Sequence, residues 1–246
     1  MTKKSMPFLD HLEELRKRIL ISLLAILIVT AVALVFSDNI LKVLLMPAGG
    51  MKLNAFSLMD GFMIKFRIAL YLGIAMAFPI WGFELYRFIG PALMDKERKA
   101  LLPGLLASTV LFLLGVLFGY YLLREMISVM IALFPPEVAF LPAADDYISF
   151  VTFFLVACGV AFQLPVVLTI LVELRILSAT ILKKQRRIAY FALFVFAEVA
   201  TPVTDPIIAP LVVMIPLVLL YEASVIVAVR IEAGRVKDSR SQTTIG

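Results

Sequence analysis

Ala100 to Leu123, ALLPGLLASTVLFLLGVLFGYYLL, carries no charged residue, while Arg98-Lys99 precedes it and Arg124 follows. A hydrocarbon core of about 30 Å takes about 20 apolar residues in a helix, so this stretch reads as a membrane span and decides the fold class. The rest of the chain agrees with it in composition. Of 246 residues, 62% are hydrophobic and the mean hydropathy is +1.02, against about 45 to 50% apolar in soluble domains. A water-soluble fold could not hide that much apolar surface.

Working outward, Ile19–Phe36 and Ile68–Leu85 precede this span, the second containing Pro79. Tyr147–Val172, interrupted by Gln163 and Pro165, follows it, and then come Ile188–Ala200 and Ile207–Val229, the latter with Pro210 and Pro216. The expectation is an all-α polytopic membrane protein with six crossings. Ser37-Asp38-Asn39 and Pro47-Ala48-Gly49-Gly50 should end the first helix and carry an external loop. Thr201-Pro202-Val203-Thr204-Asp205-Pro206 splits the last apolar region into a hairpin, because two prolines and an aspartate oppose a continuous helix. The first arm of that hairpin would be roughly 20 Å long at 1.5 Å per residue. It falls short of a bilayer and implies local thinning or a sunken hairpin.

Basic loops stay in the cytoplasm. Lys3, Lys4, Arg16, Lys17 and Arg18 precede the first span, and Arg87, Lys96, Arg98 and Lys99 lie between the second and third. Arg175, Lys183, Lys184, Arg186 and Arg187 lie between the fourth and fifth, and Arg230, Arg235, Lys237 and Arg240 follow the sixth. Only Lys42, Lys52, Lys65, Arg67 and Arg124 fall on the other side. Both termini are therefore expected inside, in a cytoplasmic (inner) membrane. A cleaved signal peptide is the weaker reading of the start: Ala31-Val32-Ala33 has a small-x-small pattern, but Asp10, Glu13 and Glu14 spoil the basic region and apolar residues follow.

Several function classes lose their chemistry here. The single histidine, His11, and the single cysteine, Cys158, leave no metal-ligand spacing and few nucleophile–base pairs. No GxGxxG or Walker pattern supports a nucleotide-driven pump. The net charge of +5 is distributed between apolar runs rather than along one soluble face, which speaks for topology and against nucleic acid. No cofactor, no metal and no catalytic residue is expected.

Two cytoplasmic stretches are chemically suggestive. His11-Leu12-Glu13-Glu14-Leu15-Arg16-Lys17-Arg18, with Phe8, Leu12, Leu15 and Ile19 at helical spacing, reads as an amphipathic helix at the interface. Its simpler reading is a solvated topogenic segment, yet Glu13 and Glu14 are acids that a merely basic anchor would not need. Phe88-Ile89-Gly90-Pro91-Ala92-Leu93-Met94-Asp95-Lys96-Glu97-Arg98-Lys99 is a proline break before a charged helix start, and it puts Glu97 on the same membrane face as Glu14. Two carboxylates can bind two guanidinium groups through bidentate, charge-assisted hydrogen bonds that lysine cannot copy. Within the spans, Gln163 and Glu198 are costly. Gln163 could satisfy a carbonyl freed by Pro165, and Glu198 could snorkel outward from near the hairpin turn. Asp205 could be a turn former only.

Taken together, HLEELRKR, FPIWGFELYRFIGPALMDKERK, YISF with GVAFQLP, and TPVTDP resemble, in the same order, the motifs of the TatC family over about residues 7 to 230. The resemblance implies a single TatC-like transmembrane domain over residues 1–230, a concave bundle of six helices with short fifth and sixth helices, and a flexible cytoplasmic tail over 231–246. It implies a receptor, not an enzyme, for the twin-arginine signals of folded cargo, working with TatA-like and TatB-like single-span subunits, drawing on the proton gradient, and sitting as a homo-oligomer in its complex. Glu97 matches the family's main signal-binding acid, Glu14 its N-terminal partner with Arg16 beside it, and Phe88, Pro91 and Leu93 the elements around Glu97. Pro47 and Asp205 match important external residues.

Two departures stand out. The family often carries glutamate at the position of Gln163, which cannot ionise, while Glu198 is an acid where similar sequences are usually apolar. Glu198 is accordingly expected to replace the missing intramembrane acid. A proton-coupled small-molecule transporter is the alternative, resting on Gln163, Pro165 and Glu198, against which stands the lack of repeat symmetry.

Overall fold

The structure, a computed structural model, describes residues 8–90, 101–132, 135, 141–200 and 208–243. Ten α-helices occur among them: α1 Phe8–Val35, α2 Ser37–Leu45, α3 Asp60–Met76, α4 Phe78–Ile89, α5 Leu101–Ala132, α6 Ala144–Ala161, α7 Leu164–Glu173, α8 Ala179–Lys184, α9 Arg186–Ala200 and α10 Ile208–Thr243. Among the described residues the only β-type pairing is an isolated bridge between Asn54 and Ala143.

Four segments are long and apolar enough to cross a bilayer: His11–Val35, Leu102–Ala132, Ala144–Glu173 and Pro210–Arg235. The pair α3 and α4 makes a fifth if counted as one span, bent by 48°. Pro79 accounts for the bend, since its ring opposes the carbonyl four residues back and it donates no hydrogen bond. The run read as Ile68–Leu85 is thus longer than expected and broken at Ala77. α9 has 15 residues, about 22 Å at 1.5 Å per residue, as short as the sequence implied. The sixth helix, expected to be short, has 36 residues and continues through the tail to Thr243.

Two further expectations change. Residues 37–39 do not carry a loop: α1 ends at Val35 and α2 starts at Ser37. Asp38 favours a first turn, and Ile40, Val43 and Leu44 have the spacing of a helical face. The turn at Pro47 to Gly50 is present, as a 3₁₀ turn over Met46–Ala48 followed by Gly49 at φ 63° and Gly50 at φ 87°, a region that favours glycine. The stretch from His11 to Arg18 is no separate interfacial helix but the first turns of α1, which has no proline or glycine to interrupt it.

The chain divides into two compact units, Met1–Val110 with Ala139–Val156, and Leu111–Val138 with Ala157–Gly246. In the first, α1 packs on α3 and α4. A Cβ at Gly73 would stand 2.0 Å from Thr30 Oγ1, so the missing side chain is what lets α3 approach α1. Trp81 Nε1 donates to the Ile74 carbonyl at 3.0 Å, satisfying backbone beside the break. At the other end of this unit the Tyr147 hydroxyl donates to the Leu44 carbonyl at 2.8 Å, and Arg67 pairs with Asp145 at 3.2 Å.

In the second unit, Val172, Ala179, Leu182, Tyr221, Val225 and Ala228 form a core joining α7, α8 and α10. α7 ends in a Schellman turn in which Ile176 N–H donates to Leu171 O and Arg175 N–H to Val172 O, with Arg175 at φ 59°. Arg235 of α10 donates to the carbonyls of Val172 and Glu173 and to the Glu173 carboxylate, neutralising that helix end. Glu222 accepts from Arg186 and Tyr190 and ties α9 to α10.

Candidate functional site

The first unit carries an arrangement built from two matching stripes. His11, Glu14, Leu15 and Arg18 on α1 stand at i, i+3, i+4 and i+7; so do Trp81, Glu84, Leu85 and Phe88 on α4. That spacing puts each set on one helix face. Where the faces meet, the rings of His11 and Phe88 stack with centroids 4.4 Å apart. The Arg18 guanidinium then bridges two carboxylates, Nη1 donating to Glu84 Oε2 at 2.8 Å and Nη2 to Glu14 Oε1 at 3.1 Å. Arg87 Nη1 lies 3.9 Å from the other Glu84 oxygen, with a half-exposed side chain.

Burial makes these contacts matter. The side chains of Glu84, Arg18 and Glu14 are 8%, 14% and 19% exposed. A buried carboxylate without a partner is costly, and removing one member of a buried ion pair costs about 3–5 kcal/mol. Arg18 therefore holds α1 to α4 through Glu84. Two atoms of the cluster remain buried without a hydrogen-bond partner, Glu14 Oε2 and Arg18 Nε. Beside them an apolar groove of about 250 Å³ is lined by Leu15, Ile19, Leu23, Trp81, Leu85 and Phe88, with Arg18 among its lining residues. The cluster thus holds a buried acceptor oxygen without a partner, one ion pair away from an apolar trough that Arg18 lines.

Of the residues singled out from sequence, Glu14 and Phe88 come together here. Arg16 is exposed on α1. Glu97, Pro91, Leu93 and Asp205 lie outside the described residues. Pro47 is buried in its turn. In the second unit, Gln163 is 8% exposed at the break between α6 and α7, where its N–H donates to Val160 O and its carbonyl accepts from Val167 N–H. Glu198 is half-buried near the end of α9.

Sequence reasoning missed Glu84 and Glu222. Both sit inside apolar runs, and each carried the signal that drew attention to Glu198, a charge where hydrocarbon is expected. Arg18 was read only as topogenic charge; its partner is 66 residues away.

The chain matches the family described as Sec-independent protein translocase protein (TatC) over residues 10–216. It is 36% identical over 231 residues to the Sec-independent protein translocase protein TatC of Carboxydothermus hydrogenoformans, covering 93% of this chain and 95% of that one. It is 32% identical to TatCy of Bacillus subtilis, covering 93% and 91%. A crystal structure of the twin arginine translocase receptor TatC in DDM superimposes with a TM-score of 0.79 at 32% identity, covering 89% of this chain and 99% of that one. A second crystal structure of that receptor gives 0.75 at 32% identity, covering 89% and 97%.

Proposed function

The chain belongs to the TatC family of Sec-independent protein translocase proteins, and we propose that it reads twin-arginine signals through the carboxylate of Glu14 together with that of Glu97. It is a multi-span protein of the cytoplasmic membrane and a transport component, not an enzyme. The observation that carries the residue assignment is Glu14 Oε2, a buried carboxylate oxygen left without a partner, in a cluster whose Arg18 lines the apolar groove together with Phe88. A carboxylate accepts from more than one guanidinium, so Glu14 can keep Arg18 on Oε1 and take a cargo arginine on Oε2. The apolar stretch after the arginines then has the groove beside it.

In this reading Glu97 receives the second arginine with Phe88, Pro91 and Leu93 around it, Arg16 stands beside Glu14, and Pro47 and Asp205 act on the external side. TatA-like and TatB-like single-span subunits complete the machine, further copies of this chain sit within it, and the proton gradient supplies the free energy. Both termini face the cytoplasm. The transporter alternative has no support among the relatives, which are translocase proteins.

The test is crosslinking in membranes with a signal peptide carrying a photoreactive residue beside its paired arginines. Glu97→Ala and Glu14→Gln should each abolish crosslinking above the background of a Lys-Lys peptide. Crosslinking that is equal for Lys-Lys, or untouched by both substitutions, refutes the assignment.

A further inference from the structure

The Glu14 acceptor has a cation next to it. Arg18 is bonded to Glu14 Oε1, so those two side chains alone sum to zero charge and would offer an incoming guanidinium little net attraction. Glu84 changes that sum. It accepts from the same guanidinium at 2.8 Å, from the facing helix, and the three side chains together carry one negative charge. The other groups around them are His11, stacked on Phe88, and Arg87, 3.9 Å from the remaining Glu84 oxygen. Arg87 is half in solvent and therefore strongly screened, whereas Glu84 and Arg18 are not.

We infer that Glu84 is a positioning residue for signal recognition: by neutralising and holding Arg18 it keeps that arginine from capturing both oxygens of Glu14, and leaves Oε2 without an internal partner. This rests on the reading of Glu14 as a signal-binding acid. The geometry gives the mechanism two parts. Arg18 Nη1 is committed to α4, so the guanidinium can offer Glu14 only its Nη2, and its Nε stays unpartnered. Without Glu84, Nε and Nη2 of Arg18 are free to form the bidentate fork that a guanidinium prefers on a carboxylate. The chain's own arginine then occupies the seat meant for the cargo's. Glu84 is thus an acid that never touches the signal and yet sets whether the signal can bind.

The two parts predict a non-additive pattern. Glu84→Gln should weaken binding of an Arg-Arg peptide to the full chain in proteoliposomes by roughly tenfold, the order expected from losing one unit charge about 10 Å from the bound guanidinium at an effective dielectric near 20. Glu84→Asp, which keeps the charge, should bind within about threefold of the native chain on the same scale. Adding Arg18→Gln to Glu84→Gln removes the internal competitor and restores the negative charge of Glu14, so the double variant should bind better than Glu84→Gln alone. A structural role for Glu84 gives the opposite order, because the double variant loses the α1–α4 tie altogether. Binding by Glu84→Gln equal to native, or by the double variant no better than the single, overturns the inference. Glu14→Gln is run beside them: if it binds normally, the reading of Glu14 falls and this one with it; if it fails while Glu84→Gln binds normally, only the role of Glu84 falls. Monodisperse elution and native thermal unfolding in detergent identify variants that fold, and the comparison is made among those.

Discussion

Glu84 and Gln163 are both buried polar residues in apolar helices, and their environments separate them. Glu84 meets a guanidinium from another helix, and the pair offsets its own desolvation only because the geometry is close. Gln163 has no charge to lose, and its backbone closes the turn between α6 and α7. Glu198, half-buried on α9, is the acid proposed to stand in for the one missing at Gln163. Glu198→Ala should reduce cargo export severalfold while signal-peptide crosslinking stays at the native level. Gln163→Glu combined with Glu198→Ala should recover export. Unchanged export in the single variant would remove Glu198 from the transport step.

At the level of elements, unit 1 depends on two kinds of backbone proximity. Pro79 bends the second span, and the Trp81 indole satisfies the Ile74 carbonyl next to the bend, so the break is stabilised by a side chain of the helix that follows it. That bend points α4, with Glu84 and Phe88, at the first turns of α1. Gly73 then sets how close α1 and α3 lie, since no side chain fits against Thr30. Gly73→Ala should cost about 1–3 kcal/mol, the usual range for forcing an atom into a packed contact. Thr30→Ala in the same chain removes the 2.0 Å clash but leaves the Thr30 backbone 3.0 Å from the new methyl. Thermal unfolding in detergent should therefore show partial recovery. Full recovery, or no loss in the single variant, would mean that the two helices are not held at this distance.

For the molecule as a whole the governing quantity is the distribution of basic residues across the membrane. Its consequence is measurable because Cys158 is buried and 3% exposed, which keeps the native chain silent to an impermeant maleimide. Ala55→Cys, in the exposed segment between α2 and α3, should label from outside the cell. Thr2→Cys and Ser239→Cys should label only in inverted vesicles. The reverse pattern would place both termini outside and would put Glu14 on the wrong face to meet cargo.

The amino-acid sequence by itself determined the class of fold, the sidedness expected of each loop and the short fifth helix, and it singled out Glu14 and Phe88 as candidates. Those follow from run length, charge placement and local motif, all of which are one-dimensional quantities. It did not reveal the bend at Ala77 as a boundary, because a proline in an apolar run is compatible with a kink, a break or a helix start. Nor did it reveal the partnership of Arg18 with Glu84. Arg18 in the sequence is one basic residue among several, and Glu84 one acid in a greasy stretch. Only the packing of α1 against α4 brings their stripes into register and sets Arg18 between Glu14 and Glu84.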